Sequence, residues 1–472
     1  MGKFKFSKKL IAIMTVPFLF AIGGCDLKQE LEQETKMEVK EDNIEQDSSI
    51  QLKQESNYVV YAAEYPQMNP YPKTDGFSYD EEEYTAWKES LEYLQADSEE
   101  YKEGIWEFTK ETMQEILVET EGKNKIYSPL NIYMALGMLA EITDGNSREQ
   151  VLSLLHTDTI ETLRRKVNTL WKEHYCDDGR KTSLLASSVW LNNEIEYIPE
   201  TLQQLRDTYY ASSFQGEMGS LEYNTMLQEW LNEQTGGLLK EQVQEVEFSK
   251  DTIMALATTI YFQAKWRNEF SKETTSEDVF YGNNGDITCE FMHQSRSDNY
   301  YWGDSFSAIR RSFEAGGGMY LILPDEGISA EELVQDNSVM EFLQNSWEWE
   351  NSKHMIVNQS IPKFDVVSNM DLIESLQKLG VRDVFDRSIS DFSTLTPLEK
   401  ELGGISVSKI DHAARVKIDE EGCEAAAYTV MQMTTAAMPP KEEVDFVLNR
   451  PFLFVITGDD GLPLFIGVVN EP

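Results

Sequence analysis

Glu420 to Pro440 reads EEGCEAAAYTVMQMTTAAMPP, and after Gly422 it carries one charge, Glu424, in a chain whose formal charge is −42. No proline or further glycine interrupts it before Pro439. Side chains of a strand alternate between two faces. Cys423, Ala425, Ala427, Thr429, Met431, Met433 and Thr435 would share one face, all uncharged and smallest near the start. Glu424, Ala426, Tyr428, Val430, Gln432 and Thr434 would share the other, which takes both the charge and the largest ring. The first face suits a core between neighbouring strands, and no proline removes a ladder donor. Yet Thr434 to Pro440 has the small, polar and prolyl character of an exposed loop. One run therefore suits two environments, and the fold must supply both.

The 472 residues are 41% hydrophobic and 11% aromatic, ample for one large core or two ordinary ones. The acidic balance excludes nucleic acid as a partner, since phosphate-backbone binding needs clustered Lys and Arg. The five histidines are scattered and no Cys/His pair has zinc-ligand spacing, so neither a metal nor another cofactor is expected. Neither G-x-x-x-x-G-K-[ST] nor G-x-S-x-G occurs, which removes the phosphate-loop and hydrolase-elbow readings. No catalytic residue is assigned.

Lys3, Lys5, Lys8 and Lys9 precede the apolar run LIAIMTVPFLFAI, which ends at Gly23-Gly24-Cys25. This is the layout of a secretory signal, and the run is too short for a membrane-spanning helix. Ile22-Gly23-Gly24-Cys25 resembles the lipobox of bacterial lipoproteins, in which the cysteine thiol is diacylated and becomes the mature first residue. The resemblance implies a signal peptide over 1–24, lipidation at Cys25, and a chain exported and anchored at the bacterial cell surface. Cys176, Cys289 and Cys423 then remain, an odd number that allows at most one bridge. Residues 26–100 hold 21 acidic and 6 basic side chains, too polar to fold alone. A largely disordered, lipid-anchored acidic linker is expected over 25–95 and a folded domain over 96–472. The later part of that linker, YPQMNPYP and YDEEEYTAWKESLEYL, has aromatics enough to dock on the domain.

Helical spacing begins near Tyr101, with Ile105, Phe108, Thr112, Ile116 and Leu117 on one face. A second helix follows Ser128-Pro129 through Ile132, Leu136 and Leu139. Asp144-Gly145 reads as a turn, with Ser147 and Gln150 as the cap of the next helix. SSVWL, TIYFQAKW, GMYLILP, HMIVNQSIPKF, GISVSKI and RVKID read as strands. PFLFVITG and PLFIGVV close the chain as two strands about a Gly-Asp-Asp-Gly turn. Helices crowd the first half and strands the second, which predicts an α+β domain.

These segments, in this order, resemble the serpin family from about residue 100 to 472. The resemblance is carried by NKIYSPLNIYMALGMLAEITDGNSREQVLSLL, TTIYFQAKWRNEF with T-x-x-E-D-V-F, and IPKFDVVSNMDLIESLQKLGVRDVFD with DFSTL. LGGISVSKIDHAARVKIDEEGCEAAAYT and DFVLNRPFLFVITGDDGLPLFIGVVNEP complete it. It implies helices around three β-sheets, an exposed reactive-centre loop and a metastable fold. The implied function is suicide inhibition of serine proteases, by a monomer without catalytic activity of its own.

In that family a Glu-Glu-Gly hinge opens the loop, here Glu420, Glu421 and Gly422, followed by Cys423, Glu424, Ala425, Ala426, Ala427, Tyr428 and Thr429. Counting sixteen residues on from Glu420 places the reactive bond at Ala436–Ala437, flanked by Met433, Thr434, Thr435 and Met438. Ala437–Met438 remains open if the register slips by one. A methyl side chain at Ala436 suits a shallow pocket, as in elastase-like or subtilisin-like proteases, whereas a trypsin-like pocket would keep its carboxylate unpaired. Ser128 and His412 resemble the family's polar cluster where the sheet opens, and Trp266 its tryptophan where insertion starts. Thr258 stands where an Asn is usual and Asn131 where a Ser is usual, an exchange that preserves an amide–hydroxyl bond if the two are in contact. Cys423 replaces the usual Thr or Ser, and its oxidation would block insertion. Tyr428 replaces a common alanine and would slow it. No heparin-type polyanion is expected, because residues 101–472 are themselves net acidic. A non-inhibitory serpin that binds or chaperones, and a cross-class inhibitor of cysteine proteases, are the alternatives.

Overall fold

The computed structural model describes residues 58–72, 80–92, 94, 99–423 and 440–472. Two sheets organise them. The first is eight-stranded and takes β1 (Val59–Tyr61), β3 (Cys176–Asp177), β4 (Lys181–Asn192), β5 (Ala211–Gly216), β6 (Met254–Lys265), β12 (Phe364–Asp371), β13 (Asp411–Ile418) and β14 (Gly422–Cys423). The second is nine-stranded and takes β2 (Lys125–Tyr127), β7 (Ser276–Gly282), β8 (Gly285–Trp302), β9 (Phe306–Ser312), β10 (Gly318–Pro324), β11 (Ser352–Pro362), β15 (Glu443–Val447), β16 (Phe452–Thr457) and β17 (Pro463–Val469). Spatial order in the first sheet is β1-β5-β4-β6-β14-β13-β12, with β3 against β4. In the second it is β15-β11-β8-β9-β10-β16-β17-β2, with β7 against β8. The three sheets expected are two hydrogen-bonded networks here, because the 18-residue β8 pairs with β7, β11 and β9 in turn.

Helices α1 (Glu81–Glu92), α2 (Ile105–Ile116), α3 (Pro129–Glu141), α4 (Gly145–Leu154), α5 (Ile160–His174), α6 (Pro199–Tyr209) and α7 (Leu221–Gln234) precede β6 in the chain. Of these α3 is apolar almost all round, as a helix between two sheets must be. It packs on β6 of one sheet and β17 of the other. Its entry is fixed by Ser128, whose Oγ accepts from the Asn131 amide at 3.1 Å, and by Pro129 in the first turn. One cluster of buried residues fills the space between the sheets, and a second gathers Met218, Tyr223, Leu227 and Phe248 about Trp190.

Three further expectations differ from the structure. Residues 58–72 and 80–92, placed within the linker with their docking left open, lie on the domain. There β1 extends the sheet past β5, and the Tyr65 ring sits 5.4 Å from Trp171 and 6.0 Å from Tyr175. Tyr71 lies 3.6 Å from the Arg180 guanidinium, while Trp87 donates to Asp178. Aromatic burial against these groups outweighs the polar composition. Second, the cap of α4 is Asp144; Ser147 lies inside the helix, buried, and its Oγ accepts from the Asp391 amide. Third, GISVSKI is no strand, since the Val407 amide goes to the Val384 carbonyl of a neighbouring turn rather than to a strand. Cys25 and the expected signal peptide lie outside the described residues.

Candidate functional site

At the end of β13 the chain reverses within four residues. Asp419 Oδ1 accepts from the amides of Glu421 (2.9 Å) and Gly422 (3.2 Å), and the Asp419 amide donates to Gly422 O at 3.1 Å. Gly422 and Cys423 then form β14, paired with Lys265 and Ala264 of β6 on one side and with Ile418 of β13 on the other. Glycine is required by close approach, since a Cβ at Gly422 would lie 2.3 Å from Ala264 O.

A strand that pairs on both sides separates its neighbours by about twice 4.8 Å. Among the described residues β6 and β13 are joined only through β14. Below Cys423 the two strands face one another across a narrow opening. Leu238, Ile260, Phe262, Arg415, Val416 and Cys423 are among its lining residues. The lining of this slot mixes apolar side chains with the cationic Arg415 and Lys417, and Cys423 already occupies the mouth, 3% exposed.

The turn is gripped from the segment that follows β6. Trp266 donates its amide to Glu421 O (2.9 Å) and its indole to Asp419 O (3.0 Å), while the Phe270 amide donates to Glu420 O (2.9 Å). The Trp266 ring stacks on Phe313 at 4.9 Å. Glu420 is 5% exposed, and its carboxylate accepts from Thr275 Oγ1 at 2.8 Å and pairs with Lys363 Nζ at 3.4 Å. Burial by itself pushes this carboxyl up, but its own backbone amide, the Thr275 hydroxyl and Lys363 together hold it below the usual carboxylate range. Glu421 pairs with Lys272 at 2.6 Å on the surface.

Farther down, the N-terminus of α3 bridges both walls of the slot. Ser128 donates its amide to His412 Nε2 on β13 at 3.1 Å. Thr258 Oγ1 on β6 donates to Asn131 Oδ1 at 2.9 Å. Hydroxyl and amide, in exchanged places, are in direct contact. His412 is 6% exposed, and burial pulls its imidazole down to about 4, so the ring is a neutral acceptor at pH 7.

The structure thus brings Glu420, Glu421, Gly422, Cys423 and Trp266 into one hinge, and Ser128, Asn131, Thr258 and His412 into one polar clasp. Glu424, Ala425, Ala426, Ala427, Tyr428, Thr429, Met433, Thr434, Thr435, Ala436, Ala437 and Met438 lie outside the described residues. Sequence reasoning missed Lys272, Thr275 and Lys363. No local pattern marks them, because the Thr275–Glu420 contact spans 145 positions.

The family model described as Serpin (serine protease inhibitor) matches residues 103–472. The chain is a serpin. It is similar to Serpin-ZX of Arabidopsis thaliana, 28% identical over 375 residues, covering 76% of this chain and 94% of that one. The human leukocyte elastase inhibitor is 28% identical over 360 residues, 74% of this chain and 93% of that one. Among solved structures, the thermophilic serpin tengpin in its native state superposes with a TM-score of 0.70 at 25% identity, covering 81% of this chain and 98% of that one. The native stressed conformation of AtSerpin1 from Arabidopsis gives 0.67 at 24% identity, over 79% and 99% respectively. The fold is therefore the serpin fold, and protease inhibition is the activity named among its relatives. The match starts at residue 103, so β1 and α1 of this serpin precede it.

Proposed function

We propose that this serpin is a suicide inhibitor of serine proteases with its reactive bond at Ala436–Ala437. The observation that carries the reading is the hinge: Gly422 and Cys423 are paired between β6 and β13, and the slot continues beneath them. A protease takes Thr434–Met438 as substrate. Its catalytic serine Oγ bonds to the Ala436 carbonyl carbon, the peptide bond breaks, and the chain from Ala437 leaves as a free amine. The acylated segment then extends β14 into the slot, gaining ladder hydrogen bonds at about 0.5–1.5 kcal/mol each and burying its small-residue face. Such insertion is β-augmentation from within the same chain, and cutting the loop is what releases the strain that serpins store. The protease is carried along and distorted, and a displacement of about 1 Å costs on the order of a hundredfold in rate. Deacylation stalls, and the protein supplies no catalytic group.

Ala436 favours elastase-like or subtilisin-like targets, because a methyl group fills a shallow pocket and leaves nothing unpaired. Mixing with pancreatic-type elastase and with subtilisin is expected to give an SDS-stable complex with at least one, and a released peptide beginning at Ala437. Cleavage without a complex would instead mark a non-inhibitory serpin, and a peptide beginning at Met438 would move the bond by one residue. A complex with a cysteine protease would extend the trap to thioesters.

For location, the lipobox-like Ile22-Gly23-Gly24-Cys25 supports attachment through diacylated Cys25 at the outer face of the bacterial membrane. The N-terminal peptide of the mature protein is then expected to begin at Cys25 and carry acyl mass. An unmodified N-terminus elsewhere would rule the anchor out.

A further inference from the structure

Arg311 lies on β9, 2% exposed, and among the described residues no carboxylate pairs with it. Its guanidinium donates to neutral oxygens instead: Gln294 Oε1 at 3.1 Å, Gln359 Oε1 at 2.6 Å and the Asn268 carbonyl. The Phe270 ring lies 3.9 Å from it and the Trp266 ring 5.2 Å. Arg311 Nε and Gln359 Nε2 are buried without a hydrogen-bond partner among the described residues. Burial pulls the guanidinium down to about 9, with Arg296 adding to the effect and the Asp298 carboxylate opposing it. A buried cation without an ion-pair partner is costly to desolvate, and packing of the core alone gives no reason to place one there.

Its contacts point to a different role. Arg311 holds the carbonyl of Asn268, and Gln294, which it also binds, donates to the carbonyl of Glu269 at 3.0 Å. These carbonyls belong to the short segment Trp266–Phe270. From the same segment the amides of Trp266 and Phe270 hold the carbonyls of Glu421 and Glu420. One row of backbone groups is fixed to the second sheet, and the other grips the hinge. The plane of Phe270, against the guanidinium, fixes the residue whose amide holds Glu420.

We propose that Arg311 is a positioning residue for loop insertion: it fixes Trp266–Phe270 so that the Asp419–Gly422 turn stays aimed at the slot between β6 and β13. The role rests on the inhibitor reading given above. Insertion competes with deacylation, so a turn that is already formed spares the ordering of hinge residues before the first new ladder bond can close. Loosening the segment slows the start of insertion while leaving the loop as good a substrate as before.

The test is Arg311→Met, which keeps the bulk of the side chain and removes both the charge and the grip. Cooperative melting is expected to persist at a lowered temperature, because the oxygens of Gln294, Gln359 and Asn268 lose their donor. The partition shifts as well: insertion about tenfold slower, equal to 1.4 kcal/mol of barrier, read as a larger cleaved fraction and a higher stoichiometry of inhibition against subtilisin or elastase. Arg311→Lys keeps a charge but lacks the fork needed for three acceptors, and its partition is expected between the two. An Arg311→Met protein that melts cooperatively and inhibits with wild-type stoichiometry overturns the proposal. Should that variant fail to fold, Gln294→Met decides, since it releases the Glu269 carbonyl and leaves Arg311 in place; a larger cleaved fraction supports the role and an unchanged one refutes it. Wild-type protein that yields only cleaved chain, with no complex, defeats the inhibitor reading itself and this role with it.

Discussion

Replacing Ala425 with arginine is expected to turn the inhibitor into an ordinary substrate. Cys423 is buried at the mouth of the slot with Ile260, Phe262 and Val416 among the lining residues below it. In a strand continued from β14, the side chain two positions on returns to the same face. An arginine there would have to leave water for a narrow opening lined by apolar side chains and by the like-charged Arg415 and Lys417, where an unpaired charge costs several kcal/mol after relaxation. Every 1.4 kcal/mol added to the barrier slows a step about tenfold, so insertion falls by on the order of a thousandfold. Deacylation, a property of the protease, keeps its ordinary rate. The gel of an elastase or subtilisin reaction should then show cleaved chain and free enzyme in place of the SDS-stable band. Ala426→Arg is the internal control. Its side chain belongs to the other face with Glu424 and Tyr428, and complex formation is expected to survive. Equal loss in both variants would mean that alternation of faces does not govern insertion, and equal retention would mean that the segment does not enter the slot.

Local periodicity carries the elements that alternation or a helical stripe defines. PFLFVITG and PLFIGVV lie at β16 and β17, and the Ile105–Ile116 stripe is the buried face of α2. GISVSKI misleads because β-branched composition states what a strand prefers, while pairing depends on whether a neighbour is there. The docking of residues 58–72 and 80–92 is open in the sequence for a similar reason. Their aromatics are visible, but Trp171, Arg180 and Asp178, which receive them, are named by position in the fold. The site divides along the same line. Ser128, His412, Trp266 and the hinge are legible by resemblance to serpins, together with the exchanged pair Asn131 and Thr258. The groups that grip the hinge are not, because Lys272, Thr275, Arg311 and Lys363 come from segments whose local patterns serve their own strands and turns. A buried arginine amid uncharged acceptors has no sequence signature at all.

The second large effect expected is a loss of stability in mild acid that traces to one ring. His412 is buried against the Ser128 amide, which donates to its Nε2, and its folded-state value is about 4. In the unfolded chain an imidazole titrates near 6.5. Between those values the unfolded chain binds a proton that the folded one does not, so stability falls as pH is lowered through this window. At 1.36 kcal/mol for each pH unit, the loss is about 3 kcal/mol by pH 4, with full stability retained above about 6.5. Glu420, held below the usual range, contributes with the ordinary carboxylate sign and adds its loss at lower pH. The histidine window therefore stands apart from it. His412→Gln supplies an acceptor oxygen without a titration in that range. Urea unfolding at pH 7 and at pH 4.5 should show the wild-type midpoint falling with acid and the variant's falling much less. A parallel fall in both would assign the acid sensitivity elsewhere. Because Asn131 reaches Thr258 on β6 while Ser128 reaches His412 on β13, a protonated ring loosens one wall of the slot and leaves the other fixed.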